Sequence, residues 1–160
     1  WIGGRIAPHV FARAMVPTQA VALSTQSSLA SLPAMLASAK RLGLRDSTAD
    51  FALPLAVAIF RATSPAMNLA VAIYVATLAG VELTPAVMLA GIAVAFVISV
   101  GSVSLPGSIS FVISIGPIAS AMGIPVEPLV LLVAVEMLPD IMRTLGNVTM
   151  NVAIAATVEQ

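Results

Sequence analysis

From Leu83 to Val126 the chain carries no charged residue, yet the middle of that run reads Gly101-Ser102-Val103-Ser104-Leu105-Pro106-Gly107-Ser108. Few features restrict a fold more. A bilayer crossing needs about 20 apolar residues, and Ser, Gly and Pro at mid-run leave backbone groups without helical partners. Hydrocarbon cannot satisfy those groups, so the interruption must be buried in protein or line a cavity. Two arrangements meet the requirement: a re-entrant hairpin with its tip at mid-membrane, or two spans joined by a surface turn. Each half is somewhat short for a full span, which favours the hairpin. Met15 to Ala39 is also free of charge and is interrupted by Ser24-Thr25-Gln26-Ser27-Ser28-Leu29-Ala30-Ser31-Leu32-Pro33. Two spans cannot fit there, which leaves a hairpin or a kinked single helix.

Composition explains why such blocks exist. The chain is 59% hydrophobic and 9% charged, against roughly a quarter charged in a soluble domain. So few charges cannot cover the surface of a soluble protein, and the reading is an integral membrane protein. Net charge is zero, without a basic run, which excludes nucleic acid as a partner. Cysteine is absent, and His9 is the single histidine. Disulfides, thiolate chemistry and a histidine metal site are therefore not expected. No nucleophile–base pair stands out, so no enzyme and no cofactor is expected. The opening Trp1-Ile2-Gly3-Gly4-Arg5 reads like the tail of an earlier apolar segment, and lacks the pattern of a signal peptide. The expectation is a C-terminal fragment of a larger transporter; a processed or trimmed chain would look the same.

The segments expected are the end of a preceding helix with a linker (1–14), a first re-entrant hairpin (15–46), a transmembrane helix (47–80), a second hairpin (81–125) and a last transmembrane helix (126–160). Ser31-Leu32-Pro33 is echoed by Ser104-Leu105-Pro106. Broken segments at corresponding positions of two halves point to an inverted-repeat transporter. The fold class expected is thus an all-α membrane protein built on an inverted repeat of hairpin plus helix. With both hairpins returning to their own side, Arg5, Arg13, Lys40, Arg41 and Arg45 share one face, and Glu82 and Glu127 the other. The basic face goes to the cytoplasm, in a plasma or bacterial inner membrane.

The last segment carries Glu136, Asp140, Arg143, Asn147 and Asn151 at spacings of three or four, one face of a helix. Charges at membrane depth cost about 2.5–3.5 kcal/mol each on insertion scales and are usually functional. An Asp140–Arg143 ion pair that only eases insertion is the plain alternative. It leaves Thr144, Asn147, Asn151 and the two polar tips unexplained. Glu136 reads as a structural hydrogen-bonding acid or a proton carrier. Arg61 lies inside a span, as a snorkelling arginine or as a fixed charge standing in for a bound cation. Asn68, Tyr74 and Thr77 read as helix-packing hydrogen bonders, and Pro54, Pro65 and Pro139 as sites where helices kink or break.

These residues resemble the dicarboxylate/amino acid:cation symporter family, which includes glutamate and aspartate transporters. The resemblance runs from about Arg5 to the C-terminus. It rests on Ser24 to Pro33, Leu53-Pro54-Leu55, Gly101 to Gly107, and Asp140, Arg143, Thr144 and Asn147 in order. It implies a transport domain of hairpin–helix–hairpin–helix, moving by alternating access against a scaffold domain that this chain lacks, in a homotrimer. It implies a small anionic substrate, an acidic amino acid or dicarboxylate. Asp140 would take an α-amino group and Arg143 a carboxylate. Thr144, Asn147, Ser27 and Ser28 would make polar contacts, with Ser104, Leu105 and Ser108 in the gating second tip. Arg61, Ser99, Ser102, Asn147, Asn151 and Glu136 would bind a cation or replace one. The family's Asn-Met-Asp-Gly-Thr motif reads Phe60-Arg61-Ala62-Thr63-Ser64 here, and its sodium-binding aspartate falls at Asn151; Gln26 stands where prokaryotic members often carry arginine. Sodium or a proton is therefore the expected coupling ion. A non-transporting or channel-like derivative of the fold is the alternative.

Overall fold

The computed structural model describes residues 5–101 and 108–159, with side chains described over 5–100 and 111–159. Among the described residues every regular element is helical and no strand occurs. In chain order these are α1 (Pro8–Thr25), α2 (Leu32–Arg41), α3 (Asp46–Ile59), α4 (Ser64–Leu78), α5 (Pro85–Gly101), α6 (Ser108–Ala121), α7 (Glu127–Leu132) and α8 (Met137–Val158). The chain divides into two compact units, one running to Ala62 and resuming at Thr144, the other Thr63–Arg143.

In the first unit α1 packs on α2 and α2 on α3. Pro8 opens α1 where a missing N–H is harmless. Gln26 ends it in the left-handed region at φ 51°, its N–H donating to the Ala22 carbonyl at 2.9 Å. The turn that follows is held by its serines. Ser27 Oγ accepts from the Ala30 N–H at 3.2 Å, and Ser31 Oγ donates to the Ser27 carbonyl at 2.8 Å. Hydroxyls thus settle backbone groups that hydrocarbon would leave bare. Pro33 then starts α2, and Gly43 at φ 80° closes it. Ser38 donates to the Ala14 carbonyl at 2.7 Å, so the 2.8 Å contact with Thr18 is donated by Thr18. The core holds Met15, Met35, Leu53, Val148 and Val152, all buried.

The second unit packs α4, α5 and α6 against one another, with α7 on α6. Val75, Phe111, Ile115, Ile118 and Leu129 fill its core. At Gly91 a Cβ would stand 2.5 Å from Met122 Sδ and 3.0 Å from Leu69 Cδ1, so α5 sits as close as it does because no side chain is there. Gly123 at φ 67° ends α6, with the Ile124 N–H donating to the Ala119 carbonyl at 2.8 Å.

Asp46–Leu78 is long and apolar enough to cross a membrane, and Pro85–Val100 and Phe111–Ala121 are shorter apolar helices. Large apolar side chains point outward, Phe51 at 73% and Leu131 at 79% exposure among them. That is a liability in water and the expected surface in lipid. The expected helix over 47–80 arrives as α3 and α4, broken at residues 60–63. Pro65, in the first turn of α4, is the reason: it has no N–H, and its ring would collide with the Arg61 carbonyl in a continuous helix. Pro54, by contrast, stays within α3. The last segment is likewise divided, into α7 and α8.

Candidate functional site

Asp140, Arg143, Thr144, Asn147 and Asn151 all lie on α8, and each is buried, between 1% and 8% exposed. The outward side of the same helix carries Leu138, Met142 and Met150. One face of α8 is therefore polar and covered while the other is apolar and open, the reverse of a helix in water.

In the second unit Arg143 and Asp140 form a buried ion pair, Nη2 donating to Oδ1. Arg143 Nη1 donates to Asn68 Oδ1 at 3.1 Å, and Asn68 is itself 2% exposed. The guanidinium is thus gripped through two of its nitrogens, leaving further N–H donors for a planar anion. Thr63 Oγ1 donates to the Arg143 carbonyl at 2.9 Å, fixing the backbone from which the guanidinium projects. Asp140 lies in the first turn of α8, where a carboxylate is favoured by the helix dipole.

Glu136, just before α8, is 6% exposed, and its Oε2 has no hydrogen-bond partner among the described residues. It borders a cavity of about 350 Å³ also lined by Met67, Tyr74, Phe111, Leu132 and Pro139. Neither Asp140 nor Arg143 lines that cavity. A space walled by apolar groups and a single acid does not suit a dianion.

In the first unit one amide atom of Asn151 lies 2.9 Å from the Phe60 carbonyl and 3.2 Å from the Asn147 carbonyl; it is assigned as Nδ2, the donor, because an oxygen there would face only acceptors. The Phe60 carbonyl is available because the chain leaves α3 at that residue. Arg61, next along, is half-buried at the break between α3 and α4. Ser28 is buried and Ser27 half-buried in the turn between α1 and α2. Gln19 Nε2 donates to Thr149 Oγ1 at 3.2 Å, a further polar contact in this unit.

Of the remaining expected site residues, Ser99 is buried and donates to the Ala95 carbonyl of its own helix at 2.7 Å. Ser102, Ser104 and Leu105 lie outside the described residues, as does the side chain of Ser108, the first residue of α6. Thr63 is the residue that sequence reasoning missed. Asn68 is the helix-packing hydrogen bonder the sequence suggests, with Arg143 as its partner; with Ser64 it forms a polar pair at helical spacing on an apolar segment, a shorter version of the stripe on α8.

Outside the spans, Arg45 donates its backbone N–H to both oxygens of Glu159 at 2.9 and 3.0 Å, and its Nε to Oε1 at 2.9 Å. Glu159 thereby caps the start of α3. These bonds, the one from the Arg45 N–H foremost, hold the Glu159 carboxyl below the usual glutamate range.

Comparison with curated proteins gave no match. The family model for the sodium:dicarboxylate symporter family matches residues 1–160. Helical elements throughout the described residues, apolar helices among them and a buried carboxylate–guanidinium pair accord with that match, and the chain belongs to the sodium:dicarboxylate symporter family, whose members are membrane transporters rather than enzymes.

Proposed function

We propose that this chain is the substrate-carrying portion of a secondary transporter for acidic amino acids or dicarboxylates. In this reading α1 and α2 form the first re-entrant hairpin and α5 and α6 the second, gating one. The paired helices α3–α4 and α7–α8 are the two broken membrane segments of an inverted repeat. Substrate binds at mid-membrane and crosses by alternating access against a scaffold domain in a trimer. Arg143 takes a substrate carboxylate through its planar fork, and Asp140 takes an ammonium group where the substrate has one. The family resemblance assigns further polar contacts to Thr144, Asn147, Ser27, Ser28 and the second tip.

The observation that carries this reading is the grip on Arg143. An ion pair that merely eased insertion would need only Asp140. Asn68 adds a neutral acceptor that orients the guanidinium without adding charge, so the positive centre paired with Asp140 is held in one place. The coupling ion is a proton or sodium, with Glu136 as the proton-carrying candidate and Arg61 as a fixed positive charge in place of a bound cation.

Uptake of labelled aspartate, glutamate and succinate into vesicles containing the full-length protein, under imposed sodium or proton gradients, tests the proposal. At least one substrate should accumulate. Arg143→Lys keeps the charge but loses the fork, and should reduce uptake by about 10–100-fold, since charge-assisted hydrogen bonds contribute about 1.5–3 kcal/mol each. Absence of uptake for all three under both gradients refutes the transport reading.

A further inference from the structure

The family description names sodium, and hard cations are held by oxygen atoms. Phe60 and Asn147 present two such oxygens, both backbone carbonyls, converging on one atom of Asn151 at 2.9 and 3.2 Å. That atom decides what the place can hold. Were it the amide oxygen, three acceptors would face one another with no proton among them. As the amide nitrogen it gives each carbonyl an N–H, while the amide oxygen turns toward donors. Asn151 is 1% exposed, so water does not compete for these bonds. A cation here would enter a buried setting without a carboxylate at Asn151 to neutralise it, which is costly. The residues at this place therefore do not fit bound sodium.

We propose that the Asn151 amide is a built-in, uncharged stand-in for a cation at the Phe60–Asn147 carbonyl pair. The first unit keeps its packing there without sodium, and sodium does not bind at that point. The inference rests on the hydrogen bonds of Asn151 and is independent of the substrate proposed for the Asp140–Arg143 cluster.

The test is thermal unfolding of the purified full-length protein in sodium chloride and in choline chloride at equal ionic strength. The Asn151→Asp variant places a carboxylate against two carbonyl oxygens. It should unfold earlier than the parent in choline and recover in sodium, by about 5–10 °C when sodium is roughly 100 times its Kd. The parent should show no such sodium response at this position, so that Asn151→Ala leaves the difference between the two salts unchanged. A sodium response in the parent that Asn151→Ala removes overturns the proposal, because the side-chain oxygen would then be a ligand. An Asn151→Asp protein that folds but ignores sodium overturns it as well, since the place would not be shaped for a cation. If Asn151→Asp yields no folded protein, the Asn151→Ala comparison decides alone. Because unfolding is read rather than uptake, a failure of the transport reading and a failure of this one give different results.

Discussion

The buried face of α8 solves one problem in two ways. Around Asp140 and Arg143 a polar helix face is stabilised by opposite charges, with Asn68 accepting a further guanidinium hydrogen. Around Asn151 it is stabilised by a neutral amide donating to two backbone carbonyls. The difference matters because the two solutions fail differently. Removing half of a buried ion pair strands a charge. Removing an amide takes one donor from carbonyl oxygens that carry only partial charge, and the Asn147 oxygen still has its place in the α8 helix ladder. On the proposed function, the charged pair stands where a charged substrate would use it, whereas at Asn151 a neutral amide takes the place of a charge.

The largest expected effect follows from that asymmetry. Arg143→Met leaves Asp140 buried with no counter-charge, and should destabilise the protein by about 3–5 kcal/mol in denaturant or thermal unfolding. Adding Asp140→Leu to the same protein should recover most of the loss, since an apolar replacement of a whole buried pair is often neutral. If the double variant remains as unstable as the single one, the pair is not the self-contained charge couple described here, and Asn68 carries more of its stability. The amide region should respond less. Asn151→Leu leaves the Phe60 and Asn147 carbonyls without the side-chain donor, and should cost about 1–3 kcal/mol by the same measurement. A loss as large as that of Arg143→Met would erase the distinction between the two regions.

Much of this was legible in the sequence, for reasons that particular residues make plain. The stripe at Asp140, Arg143, Asn147 and Asn151 was readable because polar residues are rare in an apolar helix and helical spacing alone decides which share a face. The turn after Thr25 was readable because consecutive serines and Pro33 cannot continue a membrane helix unaided. The division of residues 47–80 into two helices was less so. Pro54 and Pro65 look alike in sequence, yet one stays inside α3 and the other opens α4. Thr63, whose hydroxyl bonds to the Arg143 carbonyl, anchors the second case through a contact 80 positions away. The partners of Asn68 and Asn151 were illegible for a similar reason. An amide can donate or accept, and only the folded surroundings decide which end faces where.

The smallest expected effect sharpens the comparison by moving its charged chemistry into water. Arg45 and Glu159 repeat a carboxylate–arginine contact, but the Arg45 side chain is 70% exposed. Solvent screening makes such pairs weak, and the backbone N–H of Arg45 is the main bond. The sign of the pH effect follows from the lowered Glu159 carboxyl. Between the folded value and the ordinary 4.5, the unfolded chain binds a proton that the folded one does not, so stability rises with pH across that window. The contribution is complete above pH 4.5 and disappears as pH falls through the folded value. Thermal midpoints of the parent and of Glu159→Gln should therefore differ at near-neutral pH and converge under acid. Equal midpoints throughout would mean that the Arg45 N–H is capped as well by water as by Glu159. A gap that persists in acid would show that the carboxylate charge is not what holds the start of α3, and that the contrast between buried and exposed charge does not explain this contact.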